Sequence, residues 1–340
     1  MPKAVLFKSE YRFDAFLAKL KTFGISTTVL DFENLDWMQH DFSGDDLVIY
    51  YPLFEFSSNS PMALQKVDDN ISFLAETWPH LVIYPDPKTL KFYNDKYRQF
   101  LFLQHGGFPI PETIPLLSKD AVDVADRRLG YPMVVKNRYG AGGGAVFMVR
   151  NQGELDALYR MSKMDLFHWG ALRYFAPMLR ERLFYWEVLK ARKMRFPFFS
   201  PPLLAQEFVE IKRDLKTVVN ENRVVEAHWR YQANDSMWKM NIDGGGTGVW
   251  AHVPDEPLRL SERLATSLKA SWLNLDLIES EGRFLITEFS PVWHHYAYKE
   301  KPSFVYQDDY NIEPPLEVSL DLERIIVESL LAAHTRMKSA

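Results

Sequence analysis

Asp276 and Glu288 flank a predicted hairpin whose turn is Glu281-Gly282, so the two positions come nearly opposite each other. Strand alternation lets both side chains share one face. Two carboxylates on one face repel unless a cation lies between them, and magnesium, which takes oxygen ligands and bridges to phosphates, suits such a pair. Two acids on a solvated hairpin face would show the same spacing. Their neighbours Leu275, Leu277, Ile286 and Phe289 are apolar, however, which marks strands that pack. The second chemical feature is segment 137–144, with Gly140, Gly142, Gly143 and Gly144, directly after Lys136. Glycine lets backbone N–H groups approach phosphate oxygens without a Cβ in the way, and a lysine adds positive charge for the same oxygens. The loop lacks the Lys-Ser/Thr ending of a P-loop. It lies between two predicted strands, not between a strand and a helix, so it is no dinucleotide fingerprint either. Taken alone, it fits a flexible hairpin tip as well as a phosphate cradle.

The elements that would position these groups follow from the apolar pattern. Residues 4–7 read as a first strand. Phe13, Phe16, Leu17 and Leu20 predict a helix over 12–23 that Gly24 stops. Strands at 26–30, 47–51 and 81–84 and a helix at 60–76 complete an alternation that implies a parallel sheet covered by helices. Beyond it come a helix at 94–105, an extended link through Pro109, Pro111 and Thr113, and a helix at 121–129. Strands at 133–136 and 145–149 then enclose the glycines. Asn151 and Glu154 have the spacing of a capping box. Segment 155–200 is basic and helical in pattern, carries Trp169 and Trp186, and closes on Pro197, Pro201 and Pro202. Strands at 203–209, 217–219 and 224–230, a helix at 258–273, the hairpin strands 275–279 and 284–289, and a closing helix within 315–335 follow.

Composition bounds the function classes. The 340 residues exceed the usual single domain. A net charge of −5 offers no broad basic surface, so nucleic acid is not an expected partner. The absence of cysteine excludes disulfides, thiolate metal sites and cysteine nucleophiles, and fits a reducing cytoplasm. No apolar run approaches the roughly 18 residues of a membrane span, and the run at 4–7 is too short for a signal-peptide core. A cytoplasmic protein with no membrane partner is expected.

The order of these features resembles the ATP-grasp superfamily, and within it the RimK-like and glutathione-synthetase-like ligases, over about residues 94–293. Asn94-Asp95-Lys96 with "GGFPIPET" looks like the family's entry helix and link, and "YPMVVKNRYGAGGGAVFMV" like its lysine strand and phosphate-covering loop. "AQEFV" looks like the adenine hinge, "NIDGGG" like a later glycine-rich turn, and Asp276 with Glu288-Phe289-Ser290-Pro291 like the metal strands. The resemblance implies a mixed α/β ATP-grasp fold. Residues 1–93 would form an N-terminal α/β domain. Residues 94–200 would hold the linker helix and central lid with an aromatic helical insertion, and 201–340 a C-terminal domain with an antiparallel sheet and the metal site. It implies ATP with Mg2+, or Mn2+, as cofactors. Lys96 and Lys136 would contact phosphates. Gln206, Glu207, Phe208 and Val209 would hold adenine, with Glu207 accepting from its amino group. Asp214 and Lys216 would lie near ribose or phosphates, Arg230, Lys216 and Asn241 would serve catalysis, and Asp276, Glu288 and Ser290 the metal. The implied partners are small-molecule carboxylates and amines, such as amino acids or a peptide, and a homo-oligomer is common among such ligases.

The implied reaction is attack of a carboxylate on the γ-phosphate, with an amine then displacing phosphate from the acyl phosphate. A phosphotransferase acting on a hydroxyl shares the fold, and a degenerate ATP-binding protein is the third reading. Two residues depart from the family's pattern: Ser290 stands where Asn is usual, and Asp243 where a basic residue often occurs. Trp293, His294, His295 and Tyr296 follow the metal strand, where they would face an acceptor substrate or form a structural loop.

Overall fold

The computed structural model describes residues 2–9, 12–52, 61–140, 146–163, 200–232, 238, 247–249, 251–292 and 321–339. Except for the exposed edge strand at 26–30, the first strands are short and largely buried on both faces, as parallel strands covered by helices are. β1 (Lys3–Phe7), β2 (Ser26–Leu30), β3 (Leu47–Ile49) and β4 (Val82–Tyr84) form a parallel sheet in the order β2-β1-β3-β4. The helices Phe13–Thr22 and Pro61–Thr77 cover it. So does the helix Leu322–Ser339, from the far end of the chain, which sends Leu322, Ile326, Val327 and Leu330 into the same core. Ion pairs Arg12–Glu323 and Lys19–Asp321 fix that docking. The closing helix therefore lays its apolar stripe on the first unit, while its Ser329 and Arg336 bond Glu221. Its apolar stripe was legible, but its partner was not.

The second sheet is antiparallel: β5 (Thr113–Pro115), β6 (Met133–Lys136), β7 (Val146–Val149) and β8 (Leu204–Glu207), in the order β5-β8-β6-β7. The helices Lys119–Leu129 and Gln152–Ser162 lay Val122, Ala125, Leu155 and Leu158 on Met133, Val135 and Ala205. The Asn151 side chain accepts from Glu154 N at 3.0 Å, and Glu154 Oε2 in turn accepts from Arg150 N at 2.9 Å, so the expected box closes one residue early. β8 lies past residue 200 yet completes this lid sheet, so a boundary at 200 separates a strand from its neighbours.

The third sheet runs β11-β10-β9-β12-β13, from β9 (Arg213–Asn220), β10 (Arg223–Tyr231), β11 (Thr247–Val249), β12 (Trp272–Ser280) and β13 (Arg283–Ser290). Leu215, Val219, Trp229, Leu275 and Leu277 bury one face against the helix Asp255–Leu268. That helix ends at Leu268, with Lys269 at φ 54°, and Trp272 already begins β12, where the apolar run had predicted helix to residue 273. Within one continuous apolar run, periodicity does not separate a helix end from a buried strand. Among the described residues no helix is long and apolar enough to cross a membrane.

Candidate active site

The face of the third sheet opposite its apolar core carries alternating polar residues. Strand register aligns them. His228 of β10 pairs with Lys216 of β9, Lys216 with Asp276 of β12, and Asp276 with Glu288 of β13. One cross-strand row thus reads His228–Lys216–Asp276–Glu288. The neighbouring row holds Arg230 opposite Asp214. A break in register makes this possible. Asp276 faces Glu288, but Leu277 faces Ile286, so Thr287 is the extra residue of a β-bulge. Without the bulge, Glu288 would share the buried face of Ile286, which is 1% exposed.

Arg230 makes a two-pronged contact with Asp214, Nε to Oδ1 at 2.7 Å and a terminal nitrogen to Oδ2 at 2.6 Å. The same terminal nitrogen lies 3.2 Å from Asp276 Oδ2, and Lys216 Nζ lies 3.1 Å from Asp276 Oδ1. Burial penalises the Asp276 carboxylate, but Arg230 and Lys216 outweigh it and hold the group well below the usual carboxylate range. Arg230 stays charged: burial opposes its charge, and Asp276 and Asp214 more than restore it.

The lid contributes the opposing wall. Lys136, at the end of β6, donates to Thr287 O at 3.5 Å. Burial pulls its ammonium down to about 8, with Glu288 and Asp276 resisting and Lys96 adding to the fall. Lys96 opens the helix Lys96–His105, is 7% exposed, donates to Gly140 O, and lies 3.3 Å from Glu288 Oε1. Asp95 explains why Lys96 and the glycine loop start side by side. Its carboxylate accepts from Tyr97 N and Arg98 N at the helix start and takes both prongs of Arg138, at 2.9 and 2.7 Å. Gly140, at φ 135°, has a backbone conformation that side chains rarely adopt. Gln99 ties the same helix to β13 by accepting from Phe289 N at 3.2 Å.

A small pocket lies between the lid and the third sheet, lined by Leu103, Ile110, Thr113, Lys136, Gln206 and Ile286 among others. Apolar walls with a few polar edges suit a flat heterocycle. Of the expected hinge residues, Gln206 lines this pocket and donates to Thr113 Oγ1 at 2.9 Å. Glu207 does not line it; its Oε1 accepts from Glu112 N at 2.7 Å, so that carboxylate holds the β5–β8 junction. Phe208 stacks edge-on near Trp238, at 6.3 Å between ring centroids, and Val209 is half-buried beside it.

Asp276 and Glu288 provide oxygen donors on one face, which fits a magnesium ion that takes its other ligands from phosphates and water. Ser290 departs from the ligand role, because its hydroxyl donates to Val292 O at 3.0 Å and accepts from Val292 N at 3.2 Å. Among the described residues no cluster of three or more His, Cys, Asp and Glu could hold a metal without such help. Gly142, Gly143, Gly144, Asn241, Asp243, the segment 164–199, Trp293, His294, His295 and Tyr296 lie outside the described residues. The structure adds site residues that the motifs did not single out: Asp95 and Arg138, which anchor the loop, and Glu226 and His228. The last two were signalled by polar residues recurring every second position through Arg230 on an otherwise apolar strand.

No protein-family model matches the chain. Beta-citrylglutamate synthase B of Danio rerio is 26% identical over 201 residues, which cover 57% of this chain and 40% of that protein. Alpha-aminoadipate–LysW ligase LysX of Sulfolobus acidocaldarius is 26% identical over 224 residues, covering 65% and 69%. The chain thus spans less than half the length of the first of these relatives. Among solved structures, the RimK domain ATP-grasp protein from Sphaerobacter thermophilus superposes with a TM-score of 0.61 at 12% identity, over 97% of this chain and 99% of that one, a likeness of fold. With its antiparallel second and third sheets, two aligned carboxylates on the latter, and these likenesses, the chain has the fold of ATP-grasp proteins, and RimK-like ligases are among the proteins it resembles.

Proposed function

We propose that the chain is an ATP-dependent carboxylate–amine ligase of the cytoplasm, acting on small-molecule substrates. The observation that carries this is the register row Lys216–Asp276–Glu288, flanked by Arg230 and faced by Lys96 and Lys136. Phosphoryl transfer asks a protein for positioning and for cations around spreading negative charge, with little covalent chemistry. The pocket beside Gln206 would take adenine, and Lys136 and Lys96 would line the way for the phosphates toward the charged face. Lys96 and Lys136 bind and orient the triphosphate, and Arg230, held by Asp214, faces the transferred group. Asp276 and Glu288 would hold magnesium, which when bound neutralises phosphate charge. A substrate carboxylate oxygen then attacks the γ-phosphorus and ADP leaves. The amine adds to the acyl phosphate, phosphate departs, and an amide remains. The names of the relatives point to amino acids and to short di- and tricarboxylic acids as substrates. The units of the chain, in this reading, are a parallel-sheet domain with the closing helix, a lid through β8, and the sheet β9–β13.

The test is ADP release with ATP and magnesium across a panel of acids (citrate, L-glutamate, L-2-aminoadipate) and amines (amino acids, hydroxylamine). A signal that requires both an acid and an amine supports ligation. A signal that requires only an alcohol supports a phosphotransferase, and absence of nucleotide binding by calorimetry contradicts the whole reading.

A further inference from the structure

The reaction above leaves one buried pair of titratable groups on the charged face unused. Glu226 and His228 lie two residues apart on β10, 1% and 3% exposed, with His228 Nδ1 3.3 Å from Glu226 Oε1. They belong to the site face, because Ala227 between them and Trp229 beyond them point into the apolar core on the other side. His228 extends the phosphate row, opposite Lys216. Glu226 stands opposite Val218, one step toward the parallel sheet. Val218 and Trp272 enter the core of that first unit, where the Trp272 ring lies 5.0 Å from Tyr84 at the carboxyl end of β4. Ligands of open parallel sheets gather outside the carboxyl ends of their strands. The pair therefore flanks the phosphate row on the side where a second substrate would enter. A buried carboxylate beside an imidazole is costly where two apolar residues would pack, and such pairs concentrate at functional sites.

The geometry points to His228 as the group that takes the proton from the attacking amine, with Glu226 as the residue that orients it. This rests on the ligase reading above. An Nδ1–H turned to Glu226 leaves Nε2 as the basic nitrogen. Burial lowers the pKa of His228, Glu226 opposes the fall, and Arg230 and Lys216 add to it, so the imidazole is neutral and able to accept. An amino acid arrives as an ammonium ion and cannot attack until it loses a proton. That proton passes to Nε2, and the freed lone pair forms the C–N bond at the acyl-phosphate carbon. The C–O bond to phosphorus then breaks, phosphate leaves with the electron pair, and it carries off the second nitrogen proton.

Hydroxylamine, largely unprotonated at neutral pH, separates this role from a structural one. With the full chain, ATP, magnesium and the acid panel, His228→Gln should lose much less in hydroxamate formation than in amide formation. With an amino acid as the amine its kcat should fall about 100-fold, and the deficit should shrink as pH rises and the free-amine fraction grows. Glu226→Gln should show a smaller loss with the same dependence on the nucleophile. If His228→Gln fails to fold in a thermal melt, His228→Asn and Glu226→Gln provide the same comparison. Equal losses with both nucleophiles, or no loss with the amino acid, would overturn the proposal. A parent protein that forms no hydroxamate with any acid would overturn the ligase reading and the proposal together, an outcome distinct from losses that ignore the nucleophile.

Discussion

The two faces of the sheet β9–β13 are made by the same strands under opposite rules. On one, Leu215, Leu275, Leu277 and Trp229 are packed to 1% exposure or less against a helix. On the other, Lys216, Asp214 and Arg230 are 11–12% exposed on their side chains and Asp276 27%, and they meet as ions. The first face gains about 25 cal/mol for each Å2 of apolar surface removed from water. The second gains little net stability, because desolvation of each ion offsets its attraction to the next. Charges kept at so little net gain fit the ligand-binding role proposed for this face. Adjacent residues should therefore fail in different ways when changed.

The largest contrast is between Leu277 and Glu288. Glu288→Ala should cut ADP release about 1,000-fold while the melting temperature stays close to the parent's, since Glu288 is 30% exposed on its side chain. Leu277→Ala should cost about 2–5 kcal/mol in denaturant unfolding while the folded fraction turns over normally. A Glu288→Ala protein with unchanged ADP release would remove that residue from the metal site. Next comes the bulge. Inserting one residue between Asp276 and Leu277 would give Thr287 a partner, restore plain alternation, turn Asp276 and Glu288 toward the core, and should abolish turnover together with some stability. Retained turnover would show that the bulge does not set the site. Arg230→Lys should lose about tenfold or more in turnover, because an ammonium cannot grip Asp214 with two prongs and reach Asp276 as well.

The smallest effect concerns protons. Lys136 ordinarily titrates near 10.5 and is held at about 8 in the folded chain. Between those values the unfolded state binds the proton and the folded state does not, so this group makes stability rise with pH through that window. Below about pH 8 both states are charged and the burial penalty is felt in full. Bound phosphates favour the charged form, so ATP binding near pH 8 should take up a fraction of a proton and weaken as pH rises further. Calorimetry in buffers of different ionisation enthalpy reads this directly. Lys136→Met should bind ATP more weakly and show no such uptake.

Much of this was legible in the sequence because local rules set it. Apolar runs marked the parallel strands, and a capping-box spacing marked the start of the helix Gln152–Ser162. The hairpin Asp276/Glu288 was legible as a pair, though simple alternation missed the bulge that puts both on one face, since a one-residue insertion leaves no mark on composition. Pairings at long range were hidden. Nothing in segment 321–339 says that it covers a sheet starting at residue 3, and nothing in "AQEFV" says that Glu207 turns to Glu112 while Gln206 faces the pocket. Alternation along β10 signalled His228, but its meaning was hidden, because that comes from standing opposite Lys216.

The central claim is that ATP activates a carboxylate on the charged face. It is tested most directly by oxygen transfer, using whichever panel acid elicits ADP release, labelled with 18O in its carboxylate. The account predicts one 18O atom in each phosphate released per amide formed. Unlabelled phosphate accompanying ADP, or a phosphorylated alcohol with no free phosphate, would contradict it.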